Sequence, residues 1–263
     1  MSVVIRISPR YYRWHVDPGV DWVETNTEYA HLDWTIPIDQ TALVLVDVWD
    51  RHYLADCEAR INEITEKHLA PLLACAREVG LYVIHAPGPD VAKRQSGWVQ
   101  LAETNPLCEV DPEWPPRDFV RKEADFASYV RPFEPRESEL DELRIDRPIH
   151  PLAQPVDGEA VVANGEELHR LCKREGILFL FYVGFNTNAC ILLRDYGTLA
   201  MRNRGYEVVL VRDCTTGMES YETQAKLRQT NGTVLFLEMF RAYTVTTDEL
   251  IEGVSSRQAS TKP

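Results

Sequence analysis

No stretch of this sequence comes near the roughly 18 apolar residues that a membrane-spanning helix requires, so no span is expected. The opening "MSVVIRISPRYYRWHV" carries arginines inside its only apolar patch and lacks the run of about 7 apolar residues of a signal peptide, which predicts a cytoplasmic protein. Positive charge is also scarce. Lys and Arg number 28 against 41 Asp and Glu, a net charge of −13. Such a balance opposes phosphate backbones and anionic lipid surfaces, so neither nucleic acid nor membrane is an expected partner. The six cysteines (Cys57, Cys75, Cys108, Cys172, Cys190 and Cys214) include no CxxC pair and no short Cys/His cluster. That spacing argues against a zinc site and a disulfide framework, and predicts reduced, mostly buried thiols. Repeats are absent, and the one low-complexity stretch is the polar tail "SSRQASTKP".

What remains is a chain of 263 residues, 44% hydrophobic, ample for a buried core. Residues 1–40 read as an irregular aromatic arm, with Tyr11, Tyr12, Trp14, Trp22, Tyr29 and Trp34, packed on a body spanning 41–250; residues 251–263 read as a flexible tail. Inside the body, "TALVLVD" is an unbroken apolar run of strand length, as a strand covered on both faces requires. A helical pattern through Ile61, Ile64, Leu69, Leu72, Leu73 and Ala76 follows and stops at Gly80. "LYVIHAP" is predicted as the second strand, "RDFVRK" as a short third, "ILFLFYVG" as the fourth, "YEVVLVRD" as the fifth and "AYTVTTDEL" as the sixth. A helix capped at Asn164 and stopped at Gly176 precedes the fourth strand. A helix carrying Cys190 is predicted to run to about Arg204, and the helical region after the fifth strand to be interrupted at Asn231-Gly232. The alternation predicts a three-layer αβα fold, a Rossmann-like open sheet of about six mostly parallel strands. Residues 88–116, rich in Pro and Gly, read as an insertion. With Trp98 and Trp114, and together with the arm, this insertion is expected to narrow the pocket.

In such sheets the ligand sits outside the carboxyl ends of the strands. That rule selects Asp47, His85, Lys122, the Gly184–Cys190 loop and Asp213. Cys190 reads in two ways. By residue type it is a small apolar residue on a buried helix face. By position, the "NTN" before it caps a helix whose N-terminus lowers a thiol's pKa, and nearby N–H groups can hold an oxyanion. Asp47 reads as a turn-capping carboxylate or as a base, and Lys122 as a solvated charge or as its partner. As a set, a carboxylate, a lysine and a thiol form a proton circuit for attack on a carbonyl carbon.

These residues resemble the isochorismatase-like cysteine hydrolase superfamily, which places an Asp at the end of the first strand, a Lys after the third and a Cys in a G-x-x-T-x-x-C segment. Here the matching stretches are "ALVLVD", "FVRKEADFASY" and "GFNTNAC", and the resemblance covers roughly residues 40 to 247. It implies Cys190 as nucleophile, Asp47 as general base and then acid, and Lys122 as electrostatic partner. It also implies a cis peptide at Phe185-Asn186, with the N–H groups of Asn186 and Cys190 as oxyanion hole. The implied reaction is hydrolysis of a small-molecule amide or other C–N bond through a thioester, without a cofactor, in a homodimer or homotetramer. Trp49, Asp50, His52, His85 and Thr187 are candidate pocket residues.

After the lysine this chain carries one residue more than the family's usual spacing. The D-x-H metal pattern of nicotinamidases is missing from "IHAPGPDVAK", so no metal is expected, and Asp50, His52 and His85 are the alternative set for one. Two competing readings are an ether hydrolase of the isochorismatase type and a catalytically silent binding or scaffold protein. The silent reading predicts a Lys122 ammonium turned away from Asp47.

Overall fold

The structure, a computed structural model, describes residues 3–102, 114–145, 147–240 and 242–255. Cys108 lies outside the described residues. Ten strands are described: β1 (Val4–Ile7), β2 (Arg10–Arg13), β3 (Glu28–His31), β4 (Trp34–Pro37), β5 (Thr41–Val46), β6 (Tyr82–Ala86), β7 (Ala160–Val161), β8 (Phe179–Phe185), β9 (Glu207–Thr216) and β10 (Tyr243–Val245). Eight of them form one sheet in the order β3-β2-β10-β9-β8-β5-β6-β7. From β10 to β7 every pairing is parallel, and β2 and β3 add antiparallel at the β10 edge.

All six residues of β5 are buried, because helices cover both faces of the sheet. Its alternate side chains go to opposite layers, the period-2 consequence of the pleat. Leu43 and Leu45 pack with Ile61 of α1 (Ala55–Ile64), Leu72 and Leu73 of α2 (Ala70–Val79) and Leu250 of α9 (Thr247–Ser255). Val44 and Val46 pack with Leu168 and Leu171 of α6 (Gly165–Glu175), Met201 of α7 (Thr198–Asn203) and Leu237 of α8 (Arg228–Met239). The three-layer α/β architecture follows. Asn164 caps α6 by accepting from the Glu167 N–H at 2.8 Å, and Gly176 ends it. No helix among the described residues is long and apolar enough to cross a membrane.

Several elements differ from the sequence reading. "RDFVRK" is no strand: Arg117–Arg121 form a one-turn exposed helix, α4, entered from Pro116. Two apolar residues between charges cannot furnish both faces of a buried strand, and the sixth parallel strand is instead β7. The chain from Cys190 to Arg204 is not one helix. A single wide turn, Thr187–Ile191, is followed by a break before α7. Helix α8 runs unbroken through Asn231 and Gly232. Both are exposed, and the face made by Thr230, Thr233, Val234 and Leu237 is buried, so packing outweighs the roughly 1 kcal/mol helix penalty of a glycine.

The N-terminal arm is more regular than its composition suggests. β1 and β4 pair as a ribbon, while β2 and β3 extend the main sheet. Its aromatic rings pack edge-to-face, Tyr12 against Trp14 and Tyr29, and Trp34 against Tyr243. Arg10 ties it down through a 2.8 Å ion pair to the buried Glu238.

Candidate active site

β5 and β8 run parallel with Val46 opposite Gly184, so their carboxyl ends open side by side. Gly184 has φ +114, and a Cβ there would run into the Val46 carbonyl, so the close approach of the two strands requires glycine. Asp47 follows β5 directly, its φ of 46 in the left-handed region and its N–H bonded to the Ala86 carbonyl at 3.1 Å. Beyond β8 the Phe185-Asn186 peptide is cis. The chain then turns tightly, with the N–H groups of Ala189 and Ile191 both donating to the Asn186 carbonyl at 3.1 and 3.2 Å. The Thr187 hydroxyl anchors this turn to Thr215 of β9 at 2.7 Å. Cys190 is thereby held facing Asp47.

Together they line a cavity of about 360 Å³, within the usual range for small-ligand sites. The Asp47 carboxylate is fully buried, and neither oxygen has a hydrogen-bond partner of good geometry. The nearest cation is Arg194, whose Nη2 stands 3.7 Å from Oδ2. Burial raises the Asp47 carboxyl to about 6, against the opposing pull of Arg194 and the Cys190 thiol. Burial likewise pushes the Cys190 thiol up to about 12, with the Asp47 charge adding to it and Arg194 opposing. The expectation of a lowered thiol pKa is therefore corrected. The turn before Cys190 is too short for a strong helix dipole, and an adjacent buried carboxylate outweighs it. The Tyr196 hydroxyl, also fully buried, lies within the same electrostatic neighbourhood.

His52 and Trp49 form the facing wall. His52 Nδ1 accepts the Leu54 N–H at 3.0 Å, and burial, followed by the charge of Arg147, lowers its pKa to about 4. It is neutral at physiological pH. The side chain of Asn186 sits between His52 Nε2 at 3.4 Å and the Cys57 thiol at 3.6 Å.

Of the sequence-selected residues, Asp47, Cys190, Asn186, Trp49 and His52 line the cavity. The others lie elsewhere. Lys122 is not on the lining: it ends α4, its Nζ 3.5 Å from the centre of the Phe119 ring, so it is not the cation beside Asp47. His85 lies within β6 and pairs with Glu159 at 2.8 Å, Asp50 bonds Arg51 at 3.1 Å, Thr187 is taken by Thr215, and Phe185 is in the core. Asp50, His52 and His85 therefore do not converge, and among the described residues no group of three or more His, Cys, Asp or Glu is placed to hold a metal. Asp213, at the end of the predicted fifth strand, accepts the Thr247 N–H at the start of α9. Among the described residues the arm contributes none to the lining, Trp98 instead donates to Glu167 at 3.0 Å, and of the insertion Gly88–Val91 reach the cavity. Gly88 has φ +90, a backbone conformation that favours glycine, and it lies beside Asp47, whose Oδ1 a Cβ there would meet at 3.4 Å, an ordinary contact distance.

Two functional candidates escaped the sequence reading. Arg194 lies four residues after Cys190 in "CILLR", the helical spacing that puts two side chains on one face, so a signal was present. Arg147 had none, because only a tertiary bridge between Trp49 and Ile149 brings it in.

This geometry on this fold meets a clear likeness among known proteins. The sequence model of the isochorismatase domain matches residues 41–240. The chain belongs to the isochorismatase family. A cysteine hydrolase from Pseudomonas syringae pv. phaseolicola 1448A is similar in structure at TM-score 0.53 and 15% identity, over 85% of this chain and 96% of that one. An isochorismatase-family protein from Chromobacterium violaceum ATCC 12472 is similar at TM-score 0.50 and 16% identity, over 83% and 95%. At such identities the likeness establishes the shared fold. A search of curated proteins finds no match.

Proposed function

We propose that the protein is a cysteine-dependent hydrolase of a small-molecule amide or other C–N bond, working through a thioester. The observation that carries this reading is a thiol and a fully buried carboxylate facing each other at the end of β5 and β8, with the Arg194 guanidinium beside both.

At neutral pH a carboxyl held at about 6 is mostly ionised while the thiol keeps its proton. Asp47 is then the general base. As Sγ bonds to the acyl carbon, its proton passes to Asp47, and the carbonyl π electrons move onto oxygen, toward the N–H groups of Asn186 and Cys190. Collapse of that adduct expels the nitrogen leaving group, which takes the proton from Asp47. Water then attacks the thioester, with Asp47 accepting its proton, and the thiol leaves reprotonated. Arg194 takes the electrostatic part that the resemblance gives to a lysine.

Binding without turnover is the second reading, favoured by Lys122 standing at the Phe119 ring rather than in the cavity. Incubation with carboxamides and ureido compounds, followed by intact mass spectrometry, separates the two. An adduct of acyl mass on Cys190, lost in Cys190→Ala, is the expected result; specific binding of the same compounds with neither adduct nor product would leave the binding reading.

A further inference from the structure

The imidazole of His52 is fixed by the turn that carries it. Its backbone N–H donates to Glu58 Oε2 at 2.7 Å, its Nδ1 accepts the Leu54 N–H at 3.0 Å, and its ring lies 4.5 Å from that of Tyr53 at an interplanar angle of 22°. A neutral imidazole carries one ring proton, and a nitrogen that accepts a backbone N–H does not hold it. The proton is therefore on Nε2, which makes Nε2 a donor.

That donor meets the side chain of Asn186, a residue only 2% exposed. The amide stands with Nδ2 3.4 Å from His52 Nε2 and Oδ1 3.6 Å from the sulfur of Cys57, itself fully buried in α1. An amide nitrogen has only protons to offer, so in this setting two donors face each other. Turned by 180° about its last side-chain bond, the amide fills the same space. It then accepts the Nε2 proton through Oδ1 and presents Nδ2 to the sulfur, a weak acceptor, so that every partner matches. Asn186 also follows the cis peptide, and its backbone N–H is one of the two donors assigned to the oxyanion in the proposed reaction.

We infer that His52 is a positioning residue: its Nε2–H holds the Asn186 amide by Oδ1, and so fixes the peptide N–H that receives negative charge as Sγ of Cys190 adds to an acyl carbon. The contact rests on the buried geometry, and the oxyanion it serves rests on the hydrolase reading. A cavity wall would need only the ring of His52. This role needs the ring proton on one particular nitrogen.

Two thiol reagents separate this role from a structural one. With 4-nitrophenyl acetate, Sγ bonds to the acetyl carbon, the thiol proton passes to Asp47, negative charge builds on the carbonyl oxygen, and the C–O bond breaks to release 4-nitrophenolate. With iodoacetamide, Sγ displaces iodide from a saturated carbon and no oxyanion forms. His52→Phe keeps a ring against Tyr53 and removes the donor. Complete loss of an oxyanion donor costs about 10²–10³-fold, and a loosened one is expected to cost about tenfold. Acetylation of Cys190 in His52→Phe should therefore fall about tenfold in its saturating rate, with the half-saturating concentration and the alkylation rate within about twofold of wild type. His52→Gln, which can place an N–H near the position of Nε2, should recover most of the loss. Nitrogen-15 NMR of the wild type should find the His52 proton on Nε2, the signal being identified by its absence in His52→Gln. Unchanged acetylation in His52→Phe, equal slowing of acetylation and alkylation, or a ring proton on Nδ1 would overturn the positioning role and leave the hydrolase reading standing. A wild-type Cys190 that is alkylated but never acetylated would overturn the hydrolase reading and the oxyanion role with it, and the ring proton would still decide the contact. Where His52→Phe does not fold, Asn186→Ala takes its place with the same expectation, since it removes the held amide and leaves the peptide N–H.

Discussion

Two acidic side chains stand at strand ends of the same sheet, the fully buried Asp47 just after β5 and the largely buried Glu159 just before β7, and they could hardly be treated more differently. Glu159, just before β7, accepts from Arg77 through both Nε and Nη2 at 2.8 and 2.9 Å, from His85 at 2.8 Å and from the Val156 N–H at 3.1 Å. Burial by itself would raise its pKa, and the hydrogen bonds from His85 and Arg77 more than reverse this, leaving the carboxyl lowered to about 2. Asp47, after β5, has one guanidinium at 3.7 Å and no well-formed hydrogen bond, and it is raised to about 6. A saturated carboxylate cannot take a proton near neutrality and therefore serves the fold. An under-solvated one is held close to the pH at which a base works best, at a cost in stability that persists only because the surrounding fold supports it.

The largest effect that can break this comparison is on turnover. On the proposed mechanism, Asp47→Asn lowers kcat/KM by about 10³-fold, within the span of general acid–base catalysis, while Glu159→Gln stays within about threefold wherever it folds. The wild-type kcat/KM should fall on the acid side of about pH 6, where Asp47 gains its proton and cannot accept another. Comparable losses in the two variants, or a flat profile down to pH 5, would remove the distinction between them.

Next in size is the cation. Arg194→Gln should lower kcat/KM by about 10²-fold, because a buried carboxylate and a nascent thiolate lose the charge beside them. Lys122→Gln provides the contrast. A loss in Lys122→Gln greater than in Arg194→Gln, measured by steady-state kinetics on one substrate, would return the electrostatic part to the lysine that the family resemblance selects.

How much of this could be read in advance depends on how each residue reaches the site. Asp47 and Cys190 follow apolar runs so continuous that only a buried parallel strand fits them, and the carboxyl-end rule then selects them by position alone. A strand end at Lys122 rests on two apolar residues between charges, too little hydrophobic pattern to specify a strand, and the lysine ends a surface turn of helix instead. His85 shows the fineness of the rule. It is the penultimate residue of β6, and its imidazole goes to Glu159 rather than to the cavity. Arg147 depends on a bridge between segments about a hundred positions apart, information that local spacing does not contain. The strands of the arm are illegible for a related reason: β2 and β3 are short and only partly buried, so their strand character comes from pairing at an available sheet edge rather than from a hydrophobic pattern.

The smallest effect is also the one most specific to the comparison, because the two carboxyls should leave opposite marks on stability against pH. Glu159 has a folded pKa of about 2, below its ordinary 4.5, so its contribution is present above the ordinary value and is lost as pH falls through the folded one. Asp47 has a folded pKa of about 6, above its ordinary 3.8, so its favourable state is complete below the ordinary value and is lost as pH rises through the folded one. Either shift is worth at most about 3 kcal/mol at pH 7, and about 2 is expected once the amide replacements keep part of the local packing. Glu159→Gln should therefore destabilise the protein at pH 7 and progressively less below pH 4. Asp47→Asn should stabilise it at pH 7 and leave it nearly unchanged at pH 4, since the wild-type carboxyl is by then protonated. Denaturant unfolding at the two pH values measures both. An Asp47→Asn variant less stable than the wild type at pH 7 would mean that Arg194 neutralises the buried carboxylate far better than 3.7 Å allows, and the contrast between the two acids would then lie in their chemistry alone.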